Sequence, residues 1–340
     1  MIRNGFLLLI LASSLVFIFS CNREEGNGKK YLSSDDSILE SLNNVLARDG
    51  KNSDAYLSRA DFYMNHQRVN EALADLNKAL ELNPDNVKGL ILLSNVYVMM
   101  GKPQQALQSL NKAISLENTN VKAYLEKAKL CLIMKDYETC AATVEKVLEL
   151  DSRNADAFYM KGVTLDEAGV KDKAIVAFQQ SVLFNPRHYD ALMQLGYAYS
   201  DKNPAMAIDY FSSALKSDTS SLEALYNLGM LYQEHEKPER ALESYARMLR
   251  LEPGNKLALY NTGYVNLVYL QKYSAGAEFF TKAIAIDSVY SDAYFNRGYC
   301  YELSGDLANA RKDYESVLKI NVNDQKAIEG LNRLDKLKRK

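Results

Sequence analysis

Eight small residues, Ala60, Ser94, Ala128, Gly162, Gly196, Gly229, Gly263 and Gly298, recur along this chain at gaps of 34, 34, 34, 34, 33, 34 and 35 residues. A period in that range marks a repeat architecture, so the fold must be read from the repeat and not from local propensity. A second small series, Ala72, Ala106, Cys140, Ala174, Ala207, Ala241, Gly276 and Ala310, follows the first at a distance of about 12 residues. Two small residues in register allow two helix backbones to approach closely. Large residues hold a third fixed place: Leu76, Leu110, Val144, Phe178, Phe211, Tyr245, Phe280 and Tyr314.

Within the first unit, Ser53 to Asn86, Tyr56, Ala60 and Tyr63 share one helical face, Ala72, Leu76 and Ala79 share another, and Pro84 closes the unit. Apolar spacing of three to four residues in each half predicts two amphipathic helices. Each hairpin keeps one apolar face that only a neighbouring hairpin can cover, so the units must stack. The prolines agree. Pro84, Pro186 and Pro253 fall in turns after a second helix, and Pro103, Pro204 and Pro238 fall at the first position of one, where a missing N–H costs nothing.

Gln194-Leu195-Gly196-Tyr197 and Tyr226-Asn227-Leu228-Gly229, followed by Ala241, Tyr245, Met248 and Pro253, resemble the signature of the tetratricopeptide repeat family. The resemblance extends over eight units: 53–86, 87–120, 121–154, 155–188, 189–221, 222–255, 256–290 and 291–324. It departs where Tyr56, Phe158 and Leu225 stand for the family's Trp, and in the short fifth and long seventh units. It implies an all-α fold, a right-handed α-α superhelix (an α-solenoid) of about eight hairpins. A half-repeat helix is expected within 35–52 and a capping helix within 325–340, with Ile328, Leu331 and Leu334 on its packing face.

The first thirty residues differ in kind. Arg3 precedes an apolar run from Phe6 to Phe19, too short for a comfortable membrane span and suited to a secretory signal over residues 1–20. Ser20-Cys21 at its end resembles the cleavage box of bacterial lipoproteins. By that resemblance Cys21 becomes the lipidated, palmitate-bearing first residue, residues 21–34 form a flexible tether, and the protein belongs in the cell envelope as an outer-membrane lipoprotein. An ordinary secretory signal or a single membrane anchor is the alternative, and Phe19 is bulky for the lipoprotein pattern.

No chemistry-bearing motif stands out. G-x-x-x-x-G-K-[ST], G-x-S-x-G, H-E-x-x-H and C-x-x-C are all absent, and His66, His188 and His235 fall in three different units. We therefore expect no catalytic residues, no metal and no cofactor: not an enzyme. A net charge of −2 gives no sign of general nucleic-acid binding. Cys131 and Cys140 sit one per helix in the third unit, either as a disulfide of an exported protein or as two buried thiols.

Recognition remains. By family resemblance the first helices line a concave groove, and the groove positions from the fourth unit onward include Tyr159, Met193, Tyr197, Tyr226, Met230, Tyr260, Tyr264, Phe295 and Tyr299. Such a row suits an extended or helical peptide, or it serves packing between repeats. Asn227, Asn261 and Asn296 recur directly after an aromatic residue and resemble part of the asparagine ladder that holds peptides in eukaryotic O-linked GlcNAc transferase. Asp156, Asp166, Glu167, Asp190, Asp201, Glu223 and Glu234 make the middle acidic, which either selects a cationic partner or complements helix dipoles. The reading is a membrane-anchored adaptor or scaffold that binds a protein or peptide in the groove. The alternatives are an architectural envelope subunit working through its convex surface or by self-association, and a glycan-binding carrier.

Overall fold

The computed structural model describes residues 34–337. The signal segment, Cys21 and nearly all of the tether lie outside the described residues. Those residues are helical throughout: α1 (Ser34–Arg48), then hairpins α2 (Ser53–Asn65) with α3 (Val69–Leu82), α4 (Val87–Met99) with α5 (Pro103–Leu116), α6 (Val121–Ile133) with α7 (Tyr137–Leu150) and α8 (Ala155–Glu167) with α9 (Lys171–Phe184). The series continues with α10 (Tyr189–Tyr199) and α11 (Pro204–Ser217), α12 (Leu222–Glu234) and α13 (Pro238–Leu251), α14 (Lys256–Val268) and α15 (Tyr273–Ile286), α16 (Ser291–Ser304) and α17 (Leu307–Ile320), then α18 (Gln325–Leu337). They form an all-α helical repeat. Two compact units are present, one ending at Leu82 and one beginning at Asn83, a division that the unbroken period does not announce.

Local signals set the helix starts. Asn52, Asn86, Asn120, Asn154 and Asn255 each cap the first helix of a hairpin, the side-chain oxygen accepting from the backbone N–H three residues on. His188, through Nδ1, and Ser221, through Oγ, accept in the same way in the fifth and sixth hairpins. Pro103, Pro204 and Pro238 open α5, α11 and α13. The unequal fifth unit is absorbed at its turn: α10 has 11 residues where its counterpart α8 has 13, and the chain passes through Ser200–Asn203 to α11. The extra residue of the seventh lies between α14 and α15, where Gln271 takes a left-handed φ of 54°.

The third periodic series explains the first. The ring of the large residue lies on the small residue of its own hairpin. A Cβ added at Gly162 would stand 2.4 Å from the Phe178 ring, at Gly196 2.4 Å from Phe211, and at Gly229 2.4 Å from Tyr245. Where the large residue is Leu76, Leu110 or Val144, the small one is Ala60, Ser94 or Ala128 instead of glycine. The two positions share one volume, since interiors are packed too tightly to hold both a methyl and an aromatic ring there.

Cys131 and Cys140 face the core of the third hairpin as free thiols, so the bridge offered as one sequence reading is not formed. Thr164 donates to Cys140 Sγ at 3.3 Å. Burial pushes the Cys131 thiol up to about 11 and raises Cys140 as well, so both behave as small apolar groups. Among the described residues no helix is long and apolar enough to cross a membrane.

Candidate functional site

In the unit beginning at Asn83, the first helices of successive hairpins touch directly: α4 meets α6, α6 meets α8, α14 meets α16, and α16 meets the closing α18. Their partners α5, α7, α9, α11, α13, α15 and α17 lie behind them. The first helices thus form the inner side of the stack, and they carry the aromatic, methionine and asparagine residues singled out from sequence, of which Met193 is buried in the core at 3% exposure and offers no surface.

From α8 to α12 that face mixes tyrosine with carboxylate. The Tyr159 ring lies 5.0 Å from the His188 ring and 6.0 Å from Phe178. His188 is buried, with Nδ1 accepting from Ala191 N and Nε2 3.1 Å from Asp156 Oδ1. An imidazole whose Nδ1 accepts must carry its proton on Nε2, so it donates to Asp156. That hydrogen bond holds the Asp156 carboxyl below its ordinary value. Tyr197, 41% exposed, donates to Glu223 Oε1 at 2.5 Å, and Tyr189 shares a 2.7 Å hydrogen bond with Ser221. Between them Asp190 is held above the ordinary carboxylate range, first by partial desolvation and then by repulsion from Glu223 and Asp156, against the pull of His188. Other acids of the group are engaged locally: Asp166 pairs with Lys171 at 2.7 Å, and Glu167 accepts from Tyr137 at 3.1 Å.

From α12 to α16 the inner helices are chiefly aromatic, with Asp292 in the first turn of α16. Tyr260 and Tyr264 stack with centroids 6.4 Å apart, and Phe295 and Tyr299 stack at 6.4 Å with planes 13° apart. Tyr226, Met230, Tyr264, Phe295 and Tyr299 are half-buried, and the four rings among them are packed against the core. Cations border the row: Arg333 lies 5.8 Å over the Tyr299 ring, and Lys326 6.0 Å over Phe295.

The three asparagines are arranged otherwise than a backbone-reading ladder requires. Asn227 Nδ2 donates to Tyr197 Oη at 3.2 Å and to Glu223 O at 2.8 Å, and Asn296 Nδ2 donates to Tyr260 Oη at 2.8 Å. Asn261 is 8% exposed and turns its amide onto Met230 Sδ at 3.8 Å. Each asparagine directs an amide N–H at the inner helix of an earlier hairpin, where a hydroxyl or sulfur lies within its reach, and Asn227 spends its other on Glu223 O of its own helix. The asparagines thus tie hairpins together and fix the tyrosines. Sequence reasoning also passed over Tyr189 and Tyr290. Tyr290 lies 5.0 Å from Tyr260, with the Lys256 ammonium 4.8 Å over its ring. Their signal was an aromatic residue at the very start of an inner helix, outside the positions on which the family resemblance concentrates. Among the described residues no cluster of His, Cys, Asp and Glu has the makings of a metal site.

Family models described as tetratricopeptide repeat match residues 39–87, 222–255 and 291–324. A fourth, for anaphase-promoting complex (cyclosome) subunit 3, matches residues 65–147. Over 99 residues the chain is 32% identical to RNA polymerase II-associated protein 3 of Xenopus tropicalis, a match covering 29% of this chain and 15% of that protein. Over 105 residues it is 30% identical to the probable UDP-N-acetylglucosamine–peptide N-acetylglucosaminyltransferase SPINDLY of Hordeum vulgare, covering 29% of this chain and 11% of that protein. The chain therefore spans only a small part of the length of either relative. The solved structure of Pseudomonas aeruginosa pilF superposes with a TM-score of 0.53 at 19% identity, over 62% of this chain and 96% of that one, a likeness of fold alone.

Proposed function

Because this chain is a tetratricopeptide-repeat protein, we propose that it works as a non-enzymatic adaptor whose inner face holds a segment of a protein partner, chiefly along α8 to α16. Repeats of this family serve protein–protein interaction. The observation that carries the reading to this face is the row of half-buried rings, Tyr226, Tyr260, Tyr264, Phe295 and Tyr299, running from one inner helix to the next. Rings held rigidly on a core lose little conformational entropy on contact and bury a large area, which is why aromatic residues anchor interfaces. Attachment to the bacterial outer membrane through a lipidated Cys21 belongs to the same proposal and is supported by the sequence around Ser20-Cys21.

Site-specific photo-cross-linking in cells tests the binding face. A photoreactive residue at Tyr264 or Tyr299 is expected to capture a discrete partner, and the same residue at Glu278, exposed on the second helix α15, is not. Capture from Glu278 alone would sink the reading. For the anchor, labelled palmitate is expected to enter the parent chain and to be absent from Cys21→Ser.

One observation favours the architectural reading as a second. Leu251, Ile286, Val289, Ile320 and Val322 are exposed at the ends of second helices and in the turns that follow them, in successive hairpins. An apolar edge of this kind is a contact surface by default. Light scattering of the purified chain decides it: a concentration-dependent oligomer abolished by Ile286→Glu and Val289→Glu would favour self-association.

A further inference from the structure

Around Asp190 and Glu223, in the first turns of α10 and α12, the neighbouring hydrogen-bond donors are spent within the fold. The Tyr197 hydroxyl gives its hydrogen to Glu223 Oε1 at 2.5 Å. It therefore accepts from Asn227 Nδ2 at 3.2 Å, and the other hydrogen of that amide goes to the backbone oxygen of Glu223 at 2.8 Å. His188 gives its ring N–H to Asp156. Among the described residues no hydrogen bond engages Asp190, the second carboxylate oxygen of Glu223 or Asn227 Oδ1, so what stays available there is a set of acceptors. Gln194, one turn beyond Asp190, can accept or donate and brings no charge. Beside them Tyr197 is 41% exposed, its ring fixed by edge-on packing against Phe211 at 5.3 Å.

We infer that this stretch of the inner face seats a lysine or arginine side chain of the bound segment, with Asp190, Glu223 and Asn227 Oδ1 taking its N–H groups and the Tyr197 ring lying against its stem. The inference rests on the inner face being the binding face, and it names the chemistry of the partner there. Ammonium and guanidinium groups carry donors only, the complement of this set, and their hydrogen bonds to carboxylates are the strong ones. An exposed aromatic face adds its own attraction for a cation. A carboxylate of the partner would instead meet two like charges and an amide with no hydrogen left to give. The chain supplies no cation of its own: among the described residues neither Asp190 nor Glu223 is paired with a lysine or arginine. Repulsion from Glu223 and Asp156 helps to hold Asp190 above the ordinary carboxylate range, and a cation from outside relieves it. Helix dipoles account for acids in these first turns, but not for an amide and a hydroxyl that turn their hydrogens inward beside them.

Fluorescence anisotropy on the full-length chain tests the seat with three labelled peptides that share their Phe and Leu residues and differ only at the polar positions, filled by Arg, Gln or Glu. The Arg peptide is expected to bind about tenfold or more tighter than the Gln peptide, and the Glu peptide weakest. Asp190→Asn with Glu223→Gln, which still accepts from Tyr197, is expected to erase the preference for Arg. Glu239→Gln with Glu243→Gln, the same loss of charge on exposed positions of α13, is expected to leave it whole. An Arg preference that survives the changes at Asp190 and Glu223 overturns the seat, and so do Arg and Gln peptides bound alike. If those two bind alike and Tyr264→Ala with Tyr299→Ala weakens both, the binding face stands without the seat. If none of the three peptides binds, the seat and the inner-face reading fall together.

Discussion

Gly196→Ala is the most demanding test of how these hairpins are built. In an ordinary helix interior the change would stabilise by about 0.8–1 kcal/mol, because alanine loses less backbone entropy. Here the new methyl would stand 2.4, 2.6 and 2.7 Å from Cε1, Cδ1 and Cζ of Phe211. Phe211 is fully buried and packs edge-on against Tyr197 at 5.3 Å, so its ring cannot swing clear without disturbing a neighbour. Overpacking costs about 1–3 kcal/mol, and three contacts this short with a ring that cannot move put it at about 2–3; less the helix term, the net loss is about 1–2. Phe211→Leu alone should lose a similar amount through the cavity it leaves. The double variant reproduces the arrangement native to the first hairpin, where Ala60 and Leu76 are both fully buried. It should therefore recover at least about 1 kcal/mol relative to the sum of the singles. Urea unfolding followed by circular dichroism reads the totals. Hydrogen exchange confined to α10 and α11 shows that the loss is local, which matters because repeat arrays need not unfold as one body. A Gly196→Ala chain as stable as the parent, or strictly additive losses, would refute the shared-volume argument.

Other consequences can be checked with equal directness. Ser181 Oγ is buried without a hydrogen-bond partner at a position that elsewhere holds Ala79, Ala113, Ala214 and Ala283, so Ser181→Ala should raise the urea midpoint by the equivalent of about 1 kcal/mol. Burial works against the Glu302 charge, but the Arg333 fork at 2.8 Å and the Tyr314 hydroxyl at 2.5 Å prevail and lower its carboxyl below 4.5. A depressed carboxyl stabilises above its unfolded value and ceases to do so as pH falls through the folded one. The α16–α18 contact should accordingly loosen in acid below about pH 4.5, and at neutral pH Glu302→Gln should cost about 1 kcal/mol, seen as faster exchange in α18. With Cys131 raised to about 11 and Cys300 to about 12, none of the three core thiols should react readily with a thiol reagent at pH 8 in the folded chain; modification within minutes would contradict their burial.

Much of this molecule is legible in one dimension because its contacts are mostly short-range. A hairpin closes over about 12 residues, so the pairing of Gly196 with Ala207, or of Ala60 with Ala72, is written as spacing. The helix starts are equally local, since Asn or Pro acts on backbone groups within the first turn. Where sequence reading stopped short, the deciding contact ran between hairpins. Asn296 reaches Tyr260 across 36 residues, Asn227 reaches Tyr197 across 30, and Tyr260 meets Tyr290. The amides looked free to read a peptide, but the hydroxyls that engage them come from another hairpin.

The division has a physical cause. Periodicity, turn residues and the matched glycine–aromatic series determine the all-α hairpins and their register, because each acts within one hairpin. Which polar groups remain available to a partner depends on the offset between stacked inner helices, set by the sum of many packing contacts and by no residue alone. Tertiary structure therefore decided that the asparagines bind hairpin to hairpin, that Cys131 and Cys140 stay apart as thiols, and that the tyrosine rings keep a face toward solvent.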